Sequence, residues 1–151
     1  MDKRADAIKY VADSISGKTY EFVEKSKKLG RFIIVSNNDG DLVKAIAEKL
    51  KVEYIAVNKY IFEFVLITQS KSEAIKKRGV VINAAVTDDP VNEKDFLDLP
   101  RQNGCGIVFC REGIPAGFYD NLKEYYRIVN SLDETYERLC EIKDKYVKEF
   151  E

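Results

Sequence analysis

The chain has 151 residues, 45% of them hydrophobic and 34% charged, and its 25 Lys+Arg against 26 Asp+Glu leave a formal charge of −1. It contains no His and no Trp, which excludes Ser-His-Asp and Cys-His catalysis and any His-ligated zinc or haem iron. The near-zero charge argues against nucleic-acid binding by phosphate neutralisation, so any chemistry rests on carboxylates, Lys, Ser/Thr, Tyr, Cys or a hard cation.

In chain order, residues 1–30 read as N-terminal helices. Ile8, Val11, Ala12 and Ile15 recur at helical spacing. Ser16-Gly17 interrupts them, Phe22, Val23, Ser26 and Leu29 resume the pattern, and Gly30 is a candidate C-cap. Phe32-Ile33-Ile34-Val35 is a continuous apolar run, as in a strand buried on both faces. A polar loop, Ser36 to Asp41, precedes a helix from Leu42 to Leu50. Tyr54 to Val57 and Ile61 to Thr68 read as strands, and Ser70 to Arg78 as a short helix ended by Gly79. Val80 to Val86 reads as a third buried strand. Beyond it lie an acidic loop, a short helix through Phe96-Leu97 and a fourth buried strand, Gly106 to Phe109. Gly113 to Gly117 is a turn.

Residues 118–150 read as a C-terminal helical segment. Leu122, Val129, Tyr136 and Phe150, with Tyr125, Leu132, Leu139 and Tyr146, follow a heptad pattern. One continuous helix would run about 48 Å, longer than a domain of this size is wide. Two outcomes are open. The helix breaks at Ser131, which with Glu134 forms a capping-box pair. Alternatively it projects and forms a homodimer through the C-terminal helix. Strands alternating with helices predict one α/β domain over 1–151 with a core over 31–110: a three-layer, mostly parallel, Rossmann-like sheet with a long C-terminal helical segment.

No membrane partner is expected, since the most apolar stretch, Tyr60 to Thr68, is short and contains Glu63. The charged start, Met1 to Asp6, has no apolar core, so no secretory leader is expected. Cys105, Cys110 and Cys140 are an odd set without C-x-x-C spacing and read as buried thiols in a cytoplasmic protein. A thiol enzyme built on Cys105 or Cys110 is the weakest reading, because no His is present to activate it.

Ligands of open α/β sheets bind beyond the carboxyl ends of strands. Ser36, Asn37 and Asn38 place a hydroxyl and backbone N–H groups there, suited to phosphate. Ordinary capping by Asp39 or Asp41 explains the same loop. Asp88, Asp89 and Glu93 place three carboxylates in six residues after an apolar strand. Such oxygen ligands suit Mg²⁺. A solvated turn, with Asp88 or Asp89 capping the next helix, explains the same residues.

These two loops resemble haloacid dehalogenase-like (HAD) phosphatases over roughly residues 31–110. Phe32 to Ser36, with Ala45 to Leu50 and Tyr54 to Asn58 behind it, is similar to that family's second motif, whose strand-end Ser or Thr binds the phosphoryl group. Val80 to Val86 followed by Asp88-Asp89-Pro90-Val91-Asn92-Glu93-Lys94-Asp95-Phe96-Leu97 is similar to its fourth motif, G-D-G-x-N-D-x-x-M-L. Asp89, Asn92, Phe96 and Leu97 match, Glu93 stands for the second Asp, and Asp88 and Pro90 replace the glycines. The resemblance implies a phosphate held by Ser36, Asn37, Asn38 and a third-motif Lys, with Lys71 best placed and Lys76 or Lys77 as alternatives. It implies Mg²⁺ held by Asp88, Asp89 and Glu93. The family's first motif, a strand ending in D-x-D that carries the nucleophile, has no counterpart, for Asp2, Asp6 and Asp13 lie in charged helical surroundings. The function expected is therefore a phosphate- and Mg²⁺-binding HAD-like domain taking a phosphorylated small molecule. Its alternatives are a Mg²⁺-dependent phosphatase or hydrolase and a non-enzymatic homo-oligomeric interaction protein.

Overall fold

The computed structural model describes residues 3–61, 64–67 and 70–147, with 58–61 and 64–67 described by backbone alone. The chain is a mixed α/β protein that divides into two compact units, Met1–Gly79 and Val80–Glu151.

The first unit opens with helices α1 (Lys3–Asp13) and α2 (Gly17–Lys27). The break between them falls at Ser16, whose side chain caps α2 by accepting from the Thr19 N–H. The α2 C-cap is Lys28 rather than Gly30, because the chain turns on Lys28 bonds back to Lys25 and Ser26. Strand β1 (Ile33–Ser36), helix α3 (Gly40–Leu50) and strand β2 (Glu53–Ala56) follow, with β1 and β2 parallel from Ile33↔Glu53 to Ser36↔Ala56. Helix α3 buries Val43, Ala47 and Leu50, the stripe its spacing predicts, and contacts both α1 and β2. The expected strand over Ile61 to Thr68 is instead a hairpin, β3 (Asn58–Ile61) antiparallel to β4 (Phe64–Ile67), and Thr68 lies outside the described residues. Helix α4 (Lys71–Arg78) is capped by Ser70 and ended by Gly79 at φ 71°, a left-handed turn that glycine adopts without steric cost.

The second unit is a three-stranded parallel sheet in the order β5-β6-β7, formed by β5 (Ala84–Thr87), β6 (Cys105–Phe109) and β7 (Arg127–Val129). Helix α5 (Lys94–Asp98) joins β5 to β6, a 3₁₀ segment (Ala116–Leu122) joins β6 to β7, and helix α6 (Leu132–Ile142) follows β7. Ile107 and Val108 on β6 are fully buried, and being successive they point to opposite faces of the sheet. Val108 packs with Leu97, Tyr119 and Tyr126, whereas Ile107 packs with Val129 and Ile142. Gly106 permits the close approach of α5, because a Cβ there would lie 2.5 Å from the Leu97 carbonyl oxygen.

Two expectations are corrected here. The strand expected over Val80 to Val86 begins only at Ala84, since its partner β6 begins at Cys105. Upstream, the Asn83 side chain turns to the Asn103 carbonyl at 2.7 Å, and Val81 is 71% exposed. The helical segment expected over 118–150 is divided. Ile128 and Val129 pair with Val108 and Phe109 as a third strand, so the heptad spacing through Val129 is a coincidence of strand and helix burial. The helix starts where the capping box predicts: Ser131 accepts from the Glu134 N–H at 3.1 Å, and the Glu134 carboxylate accepts from the Asn130 N–H at 2.6 Å. Leu139 and Tyr146, two seam positions, pack on the core beside Ile142, and Phe150 lies outside the described residues.

Candidate functional site

The residues expected to form the site fall into two sets. Ser36, Asn37, Asn38 and Lys71 belong to the first unit, and Asp88, Asp89 and Glu93 to the second.

In the first unit Ser36 is the last residue of β1, and its hydroxyl oxygen accepts from the Asn38 N–H at 3.1 Å. Asn37 and Asn38 are exposed in the turn beyond it. Asp39 then caps α3, accepting from the Asp41 N–H at 2.9 Å. Of the two capping residues the spacing left open, Asp39 is the one used. Arg4 on α1 grips both Asp39 oxygens, at 2.7 and 2.5 Å, and reaches Asp41 at 2.8 Å. Burial pushes the Asp39 carboxyl up, but the hydrogen bonds from Arg4 and from the Asp41 and Leu42 N–H groups outweigh it and leave the pKa below the usual range. Arg4 is a cation at this strand end that sequence reasoning missed; its contact spans 35 positions, and no local pattern announces it. Lys71 opens α4 at a half-buried position.

In the second unit the acidic loop is built by the residue before it. Thr87, buried at the end of β5, donates its hydroxyl to a Glu93 carboxylate oxygen at 2.6 Å. The same hydroxyl accepts from the Asp89 N–H at 3.0 Å. Asp89 in turn accepts from the Asn92 backbone at 3.3 Å and from its side-chain amide at 3.0 Å. The loop is thus closed on itself, and the Glu93 carbonyl starts α5 by accepting from the Leu97 N–H. Asp88 is exposed and meets Arg111 beyond the end of β6, with both contacts at 3.3 Å. The Arg111 N–H is fixed by donating to the Tyr119 hydroxyl at 3.0 Å. Asp88 beside it pushes the Arg111 pKa up.

Because β5, β6 and β7 are parallel, Thr87, Phe109 and Val129 all end at one edge of this sheet. The Asp88–Arg111 pair bridges the first two of those ends. It is half-exposed, and ion pairs of that kind are held only weakly. Arg111 and Thr87 had a signal in the chain: a cation two residues past one strand, and a hydroxyl at the end of the other. The carboxylates provide oxygen ligands suited to a hard divalent cation. Among the described residues no three acidic or cysteine side chains gather closely enough to hold a metal on their own. A Mg²⁺ ion held here would take one or two carboxylates and complete its shell from phosphate and water.

The three cysteines are free and half-buried. Burial, and then Glu134 nearby, push the Cys110 thiol up, which disfavours the thiolate a nucleophile needs. Among the described residues no helix is long and apolar enough to cross a membrane. No known family's profile matches this chain, and no curated protein matches it.

Proposed function

We propose that this protein is a binding domain for a phosphorylated small molecule with Mg²⁺, built on a three-layer HAD-like α/β scaffold. On this reading it does not run an aspartyl-phosphate mechanism. The observation that carries it is the loop from Asp88 to Glu93: Thr87, at the carboxyl end of a parallel strand, holds the Glu93 carboxylate and the Asp89 backbone N–H, and an arginine stands at the next strand end. Residue clusters on the two faces of the second unit's sheet fit a three-layer arrangement. Ser36, ending β1 before α3, fits the place of a phosphate-binding hydroxyl. In this reading Ser36, Asn37, Asn38 and Lys71 hold the phosphate, and Asp88, Asp89 and Glu93 face the cation.

Binding is favoured over hydrolysis because the nucleophile has no candidate. No strand among the described residues ends in D-x-D, and Asp6 and Asp13 lie on α1, where Asp13 pairs with Lys49. Calorimetric titration with inorganic phosphate, with Mg²⁺ and with both tests the reading. Binding of phosphate and of Mg²⁺, with the Mg²⁺ binding lost in Asp89→Ala, is the expected result. Absence of heat in all three titrations overturns it, and Mg²⁺-dependent turnover of a phosphomonoester replaces it with a hydrolase.

A further inference from the structure

A cleft of about 730 Å³ opens in the first unit, lined by the five residues Val52 to Ala56 and by Ala74, Lys77 and Arg78 of α4. Among the described residues β2 pairs on one side only, with β1. The direction of its other edge follows from one hydrogen bond. The Val57 N–H donates to the Ser36 carbonyl, so Val57, Ile55 and Glu53 turn their peptide groups toward β1. By alternation, Tyr54 and Ala56 present theirs to the opposite side. The Arg78 guanidinium agrees, since it donates to the Tyr54 carbonyl at 3.3 Å from across the cleft. The four residues of β2 offer an edge about 13 Å long, and an open edge of that kind is a template for an added strand.

The charge of the cleft selects what is added. Lys77 and Arg78 line it from the last turn of α4. Among the described residues its acidic lining is Glu53, which is held by Arg31 at 2.5 and 2.6 Å, and this lowers the Glu53 pKa. Cations in a last helical turn also suit the helix dipole. That accounts for a charge there, but not for a guanidinium laid against a strand edge. Ile55 and Ala74 give the cleft an apolar lining.

We propose that the open edge of β2 accepts an extended acidic segment of a partner protein as an added strand. The partner's backbone pairs with Tyr54 and Ala56, and its carboxylates meet Lys77 and Arg78. Main-chain pairing provides the affinity and the cations provide the selectivity, the usual division in strand addition.

The test uses two blocked pentapeptides, Val-Glu-Val-Glu-Val and Val-Lys-Val-Lys-Val, titrated into the full chain and followed by amide NMR. With the Glu peptide, the Tyr54 and Ala56 amides shift and their hydrogen exchange slows. The Lys peptide binds about tenfold more weakly. Lys77→Gln with Arg78→Gln weakens the Glu peptide about fivefold, as the loss of two exposed ion pairs implies. Unmoved Tyr54 and Ala56 amides at saturating peptide, or equal binding of the two peptides to the native chain, overturn the proposal. So does protection of the same amides without peptide that rises with protein concentration, which makes the occupant a second copy.

Discussion

The Thr87 hydroxyl lies 2.6 Å from the Glu93 carboxylate it donates to, and the same oxygen takes the Asp89 N–H. One buried side chain at a strand end thus shapes the whole acidic loop. Thr87→Val keeps the volume and deletes the hydroxyl. It should cost about 1–3 kcal/mol in urea unfolding, because it leaves buried polar groups without their bonds. It should also weaken Mg²⁺ binding as Asp89→Ala does, while Thr87→Ser retains both stability and binding. Native binding by Thr87→Val would separate the loop from the ligand.

Tyr126 ties the end of the 3₁₀ connection to α5 by donating to Asp98 at 2.5 Å. Burial, and then the Asp98 carboxylate, push its pKa up to about 12. A raised folded-state pKa means that the contribution is complete below the ordinary tyrosine value near 10 and is lost as pH rises through about 12. Stability should therefore fall across that window, and Tyr126→Phe should flatten the fall. At neutral pH the same variant should cost about 1.5–3 kcal/mol, the range for a hydrogen bond to a charged group. Urea midpoints measured from neutral pH into alkali check both statements.

Asp39 works in the opposite direction. Its lowered pKa means that its contribution is present above the ordinary Asp value and is lost as pH falls through the folded one. Arg4→Ala should raise the Asp39 pKa toward that ordinary value in an NMR titration and speed amide exchange in α1. Asp39→Ala should in addition remove the α3 cap, at about 1 kcal/mol.

Gly106→Ala tests the packing of α5 on β6. The new Cβ would stand 2.5 Å from the Leu97 carbonyl oxygen and 2.8 Å from its Cδ1. Backbone cannot yield as a flexible side chain does. The variant should lose about 1–3 kcal/mol or fail to fold, with the loss read from urea unfolding.

Short-range features of the chain were legible in its residues. Ser16, Ser70 and Ser131 announce three helix starts, and Gly79 one helix end, because a cap is satisfied by atoms within a few positions. The apolar runs of β1, β2 and β6 were read to within a residue or so. Other elements were misread where burial alone was used as the signal. Val129 suits a heptad seam and a buried strand equally, and only the presence of β6 beside it makes it a strand. Val80 to Ile82 are apolar enough for a strand, but the register with β6 begins only at Ala84 opposite Cys105.

The candidate site divides along the same line. The positions of Ser36 and of Asp88 to Glu93 at strand ends follow from local pattern, since an apolar run followed by polar loop residues marks a carboxyl end. Their partners do not. Arg4 reaches Asp39 across 35 positions and Arg111 reaches Asp88 across 23, and both depend on which strands and helices lie side by side. Residue order alone decided where the chain turns, which runs are buried and that neither His chemistry nor phosphate neutralisation by net charge is available. Tertiary structure alone decided which cation stands beside which carboxylate, because a contact between distant positions exists only once the backbone has been brought round.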